Sequence, residues 1–122
     1  MKKERRILVI DDDEEILEML RRFLELEGYN VITASDGEAG LALLEEQVTD
    51  LVLLDIMMPG LDGFKVLDRI RKRSNVPVIM LTAKGDALTV HKTIEIGADD
   101  YVRKPFSTKE LLARIKAKLR RA

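Results

Sequence analysis

Runs of Leu and β-branched residues that are too short for a helix constrain this chain more than any other feature. Four occur, ILVI (7–10), NVITA (30–34), LVLL (51–54) and PVIML (77–81), and each is followed by a longer segment of mixed polarity. A strand that is apolar at successive positions leaves no face for water, so both sides of its sheet must be covered. Helices formed by the intervening segments supply that cover, and right-handed crossovers through them make the strands parallel.

The intervening segments carry the matching periodicity. Ile16, Leu17, Leu20, Phe23 and Leu24 recur at helical spacing before Gly28 supplies a stop. SDGEAGLALLEEQ opens on capping-type residues, LDGFKVLDRIRKR turns Phe64, Val66, Leu67 and Ile70 inward, and GDALTVHKTIEIG predicts a fourth helix. A fifth strand, DYVR (100–103), leads into STKELLARIKAKLRR, where Ser107 and Glu110 form a capping box. Five strands alternating with five helices predict an α/β fold, a flavodoxin-like (βα)5 doubly wound parallel sheet in the order 2-1-3-4-5. Ligands bind such a sheet beyond the carboxyl ends of strands 1 and 3, where the strand order reverses.

Composition narrows the function. At 122 residues, 46% hydrophobic and 35% charged, the chain has the size and make-up of one globular domain. Its net charge of -1 provides no field for nucleic acid or an anionic membrane, so no direct nucleic-acid contact by this chain is expected. Without cysteine it has neither disulfides nor thiolate metal sites. No apolar run approaches the roughly 18 residues of a membrane span, and MKKERRILVIDDD lacks the apolar stretch of a signal peptide. A cytoplasmic protein is expected.

Strand 1 runs into Asp11, Asp12 and Asp13, strand 3 into Asp55, strand 4 into Thr82, and strand 5 into Lys104-Pro105. The predicted sheet brings all of these to one edge. Like charges about 4 to 5 Å apart repel by roughly 3 to 4 kcal/mol at an effective dielectric of about 20, so Lys104 alone does not balance three carboxylates. Either one carboxyl stays protonated or a divalent cation sits among them. Oxygen donors without His or Cys favour a hard ion, and room for water and a phosphate suits Mg2+, with Mn2+ as a substitute. A carboxylate beside such an ion, with a hydroxyl and an ammonium nearby, is equipped to attack phosphorus and stabilise the spreading charge. Asp55 is then the nucleophile, Asp11 and Asp12 position the metal, Thr82 donates to a phosphoryl oxygen, and Lys104 pairs with the phosphoryl charge.

The segments ILVIDDD, LLDIMMPGLDG, LTA and DYVRKPF, in this order and across the whole chain, resemble the receiver (CheY-like) domain of two-component response regulators. The resemblance implies that residues 1–122 are one receiver domain with no DNA-binding effector domain among them. It makes Asp55 the phosphorylation site, served by a histidine kinase, with Asp11 and Asp12 as the acid pair and Met57 lending its backbone carbonyl to Mg2+. It also makes Thr82 and Tyr101 the switch residues: Thr82 is drawn towards the phosphorylated Asp55, and Tyr101 turns into the space left behind. Lys104 should precede a cis Pro105. The stretch GADDYVRKPFSTKELLARIKAKLRR is most similar to OmpR/PhoB-type receivers, which dimerise through charged residues on helix 4, strand 5 and helix 5. The matching positions are Lys92, Glu95, Asp99, Asp100, Glu110, Arg114 and Lys118, while Val90 and His91 depart from the pattern.

The function implied is a phosphorylation-dependent switch that controls dimerisation and transcriptional output, with no enzymatic turnover beyond promoting its own phosphorylation and slow self-dephosphorylation. A stand-alone phosphorelay shuttle is one alternative. A Mg2+-dependent aspartyl-phosphate phosphohydrolase is another, but it would want a second Asp two residues after the nucleophile, where this chain has Met57. A nucleotide binder would want a Gly-rich loop after strand 1, where DDDEE repels phosphate. Met57 and Lys84, each two residues after a site residue, are expected to hinder an attacking water. Met58 reads as core, Asp13, Glu14 and Glu15 as first-turn helix-dipole acids, His91 as solvent-facing, and the basic stretch from Arg114 to Arg121 as a solvated helix face with a dimer role.

Overall fold

The computed structural model describes residues 4–83 and 87–120. In chain order the elements are β1 (Arg6–Ile10), α1 (Glu14–Leu26), β2 (Asn30–Ala34), α2 (Gly37–Glu46), β3 (Leu51–Asp55), α3 (Gly63–Arg71), β4 (Val78–Thr82), α4 (Ala87–Ile96), β5 (Asp100–Arg103) and α5 (Thr108–Leu119). All strand pairings are parallel, in the order β2-β1-β3-β4-β5. The topology is the expected one. Asp55 and Thr82 are the last residues of β3 and β4, the strand ends at which the sequence placed them. Asp55 lies opposite Leu81 in the ladder, and the Ile56 N–H donates to the Leu81 carbonyl at 3.1 Å.

Consecutive strand residues serve two different cores, because side chains alternate across a sheet. Ile7, Val9, Leu51, Leu53, Ile79 and Leu81 pack against α1 and α5 through Leu17, Leu20, Leu111 and Ile115. Leu8, Ile10, Val52, Leu54, Val78 and Met80 pack on the other side with Val66, Leu67 and Ile70 of α3. Each fully buried Leu or Ile contributes about 2 kcal/mol. That two-sided demand is why the runs are apolar throughout. At the opposite end of β3, the Asp50 carboxylate accepts the Arg6 N–H at 2.7 Å and the Asp50 N–H donates to the Arg6 carbonyl at 2.8 Å.

Helix starts follow the sequence signals. Asp36, Asp62 and Ser107 cap α2, α3 and α5 by accepting first-turn N–H groups. Asp13 is the cap of α1, accepting from Glu15 at 2.9 Å and Ile16 at 3.4 Å, and so lies just outside the helix whose first turn it was expected to join. Only half of the expected capping box is present: Ser107 accepts the Glu110 N–H, while the Glu110 carboxylate accepts from Arg114 at 3.2 Å. The chain leaves α1 through Gly28, whose φ of 95° suits glycine. Among the described residues no helix is long and apolar enough to cross a membrane.

Candidate functional site

The sheet delivers the predicted polar residues to one edge. Asp11 follows β1 directly and is fully buried; its N–H donates to the Ala34 carbonyl at the end of β2, at 3.1 Å. One carboxylate oxygen of Asp11 accepts the Asp13 N–H at 2.9 Å and the other accepts the Lys104 ammonium at 2.8 Å. Both oxygens are therefore held in place. Asp12 is exposed at the rim. Asp55 is 3% exposed; its carboxylate accepts the Met57 N–H at 3.2 Å and stands 3.6 Å from the Lys104 ammonium.

Carboxylate oxygens of Asp11, Asp12 and Asp55 lie within 4.8 Å of one another. Crowding of this kind raises proton affinity. Burial, followed by the Asp11 charge, pushes the Asp55 carboxyl up to about 6, against the opposing pull of Lys104 and the Met57 N–H, with Asp12 adding a further upward push. The pocket accordingly has an unmet demand for positive charge. Its donor set is oxygen only, partly open through Asp12, and suits a hard divalent cation.

Thr82 is 1% exposed at the end of β4, and its carbonyl accepts the Lys104 N–H at 2.7 Å. Lys104 follows β5, and its peptide bond to Pro105 is cis. Tyr101, on β5 opposite Met80, is partly buried against the core on the α3 side of the sheet. Met57 is half-exposed and Met58 buried, as expected; Lys84 lies outside the described residues. His91 is exposed and pairs only with Glu95, at 3.5 Å, among the described residues.

Of the seven charged positions assigned to helix 4, strand 5 and helix 5, Glu95 meets His91 and the other six divide into two groups. Asp100 accepts from Arg114 at 2.8 Å and stands 3.9 Å from the Lys118 ammonium, and Arg114 also reaches Glu110. Those four form one cluster. Lys92 and Asp99 instead turn to α3: the Lys92 ammonium sits 4.3 Å from the centroid of the Phe64 ring, and Asp99 accepts from Arg71 at 2.7 Å.

Two contributors carry little signal in the sequence. Gly63 begins α3 directly over the Asp55 carbonyl, with its N–H donating to the Ile56 carbonyl at 3.0 Å. Its position in an Asp-Gly pair after the turn is the only hint. Arg71 binds four oxygen acceptors at the far end of the same helix, and in sequence it is merely one member of the basic run RIRKR.

The family model for the response regulator receiver domain matches residues 7–116, a span that contains the whole acidic edge. This chain belongs to that family. The receiver fold is equally evident in solved structures: a CheY-like receiver domain protein from Methanospirillum hungatei superposes with a TM-score of 0.92 at 35% identity, covering 98% of this chain and 96% of that one. A two-component response regulator from Clostridium difficile gives 0.94 at 30% identity, covering 97% and 98%. Among curated relatives, the probable transcriptional regulator ycf27 of Guillardia theta is 54% identical over 95% of this chain and 46% of its own length. The transcriptional regulatory protein CpxR of Klebsiella pneumoniae is 50% identical over 96% and 50%. This receiver thus spans about half the length of the curated relatives it matches. Both being transcriptional regulators agrees with the OmpR/PhoB-type likeness of the C-terminal stretch from Gly97 to Arg121.

Proposed function

We propose that this receiver accepts a phosphoryl group on Asp55 from a histidine kinase and thereby changes the surface formed by α4, β5 and α5, controlling dimerisation and, in a longer protein, transcription. The observation that carries this reading is a buried carboxylate fixed at the end of the central strand, with two further carboxylates and one ammonium converging on it. An Asp55 oxygen attacks phosphorus, the new P–O bond forms as the donor's P–N bond breaks, and the donor imidazole takes the departing electron pair. Lys104 moves from balancing Asp11 and Asp55 to pairing with the phosphoryl oxygens, and the Thr82 hydroxyl donates to one of them. Asp11, Asp12, Asp55 and the Met57 carbonyl would hold Mg2+, which supplies positive charge against the phosphoryl oxygens. Tyr101 then follows Thr82 inward, altering the outer face of β5.

The test is incubation with acetyl phosphate or phosphoramidate and Mg2+, followed by intact-mass measurement. A stoichiometric phosphoryl adduct is expected. Repeated turnover of phosphate esters with no adduct would instead support the hydrolase, and transfer of the phosphoryl group onward to a histidine phosphotransfer protein would support the relay shuttle. Met57 places a half-exposed apolar side chain two residues beyond Asp55, so the adduct is expected to persist well beyond seconds in Mg2+ buffer. Complete decay within a few seconds would contradict that role.

Metal binding should also appear in stability. Binding to the folded state alone, at about 100 times the dissociation constant, adds about 3 kcal/mol, so Mg2+ should raise the unfolding midpoint and EDTA should reverse the gain. Asp12→Asn should remove most of that response, because Asp12 is the exposed member of the cluster. An unchanged response in that variant would place the ion elsewhere.

A further inference from the structure

All three guanidinium nitrogens of Arg71 are engaged. Nε donates to the Gly97 carbonyl at 2.7 Å, one terminal nitrogen donates to the Val76 carbonyl at 2.7 Å and the Ser74 carbonyl at 3.3 Å, and the other donates to Asp99 at 2.7 Å. The Arg71 stem lies flat against Gly97, and the side chain is only 17% exposed. The Asp99 oxygen that Arg71 binds also accepts the Val78 N–H at 2.8 Å. One side chain therefore ties the end of α3 to the turn between α4 and β5 and to the start of β4.

α3 holds a second charge of the same face, Lys92, over the Phe64 ring. Its first residue, Gly63, rests on the Asp55 backbone. The helix thus touches the phosphoacceptor at one end and grips an anion of the α4–β5–α5 surface at the other. Of the remaining charges of that surface, Asp100 pairs internally with Arg114 and Lys118 and Glu110 with Arg114, while Glu95 meets only His91 among the described residues. A face bearing cations Lys92, Arg114 and Lys118 beside anions Glu95, Asp99, Asp100 and Glu110 is complementary to itself, as a two-fold contact requires. A second copy of this chain that pairs with Asp99, Asp100 or Glu110 does so by exchanging their internal partners.

We propose that Arg71 is a latch that keeps Asp99 in the α3-bound arrangement, and that its release is the exchange through which phosphorylation at Asp55 frees this face for a second copy. The proposal rests on the receiver function argued above and adds to it a link through α3, separate from Thr82 and Tyr101. Coupling requires one element whose two arrangements are biased by both sites, and α3 is in contact with both.

Arg71→Met keeps the aliphatic stem against Gly97 and removes the charge and every donor. Sedimentation equilibrium, with and without acetyl phosphate and Mg2+, should show the unphosphorylated variant dimerising at least about tenfold more tightly than the parent, a shift of the size common in allosteric coupling. The phosphorylated forms should match within about twofold, as should the rate of adduct formation, since Arg71 lies at the sheet edge opposite Asp55. The ratio between the two states then collapses, which a loss of general stability would not produce. Arg71→Lys, retaining charge but unable to reach all the acceptors, should shift the same constant less and serves if Arg71→Met does not fold. Equal shifts in both states, or none, would overturn the latch while leaving phosphorylation-dependent dimerisation of the parent intact. A parent that stays monomeric when phosphorylated would overturn both.

Discussion

An Asp55→Asn chain is expected to take up no phosphoryl group and yet, without Mg2+, to be more stable than the parent by about 3 kcal/mol near neutral pH. The first outcome follows because an amide oxygen is no nucleophile towards acetyl phosphate, and because both Asp11 oxygens are already engaged, by the Asp13 N–H and the Lys104 ammonium. The second follows from proton linkage. The unfolded Asp55 gives up its proton near 3.8 and the folded one at about 6, so in the interval between them only the folded chain holds the proton. Raising the pH through that window therefore works against folding, and above it the full penalty is present. Each tenfold change in proton affinity corresponds to about 1.4 kcal/mol. Asn removes the charge and still offers an oxygen to the Met57 N–H. Urea unfolding of both chains near neutrality and near about pH 4 checks the sign, because the advantage of the variant should vanish at the acid end. A variant that is less stable than the parent near neutrality would mean that the Lys104 contacts outweigh burial.

Gly63→Ala should be the more damaging change for the fold, lowering stability by about 3 kcal/mol. A Cβ there would lie 2.6 Å from the Ile56 Cα and closer still to the Asp55 carbonyl oxygen. Both are backbone atoms, so no rotamer change relieves the overlap. Either α3 withdraws from the sheet or the end of β3 moves, and the second route displaces the carboxylate itself. The expected signature is a lower urea midpoint together with weaker Mg2+ stabilisation. A loss below about 1 kcal/mol would show that the loop from Ile56 to Asp62 absorbs the methyl group easily.

Much of the site is legible in the sequence because its residues sit at strand ends, and strand ends can be found from the apolar runs that precede them. Asp11, Asp55, Thr82 and Lys104 need only the strand order to be brought together. Contacts made by long side chains across the fold are not legible in the same way. Asp99 and Lys92 belong in sequence to the charged dimer pattern, yet each meets α3 at a sequence distance of more than twenty residues, and packing alone decides which way it turns. Arg71 shows the converse. A basic residue in the last turn of a helix ordinarily serves the helix dipole, and nothing in RIRKR distinguishes the one Arg whose donors are taken up by two neighbouring loops. Asp13 stands one position outside its expected place because a cap and a first-turn acid share the same composition and differ only in backbone conformation.

The carboxylates at the two ends of β3 bear on how the sheet assembles. Leu51, Val52, Leu53 and Leu54 are nearly interchangeable in size and polarity, and a strand buried on both faces has no polar stripe to report a slip by one residue. Asp50, tied to Arg6, stands immediately before them, and Asp55 stands immediately after. Sliding β3 in either direction would drag a charge between the two cores. The buried acid at the carboxyl end of β3 is thus one of the two stops that let the innermost strand find a single alignment.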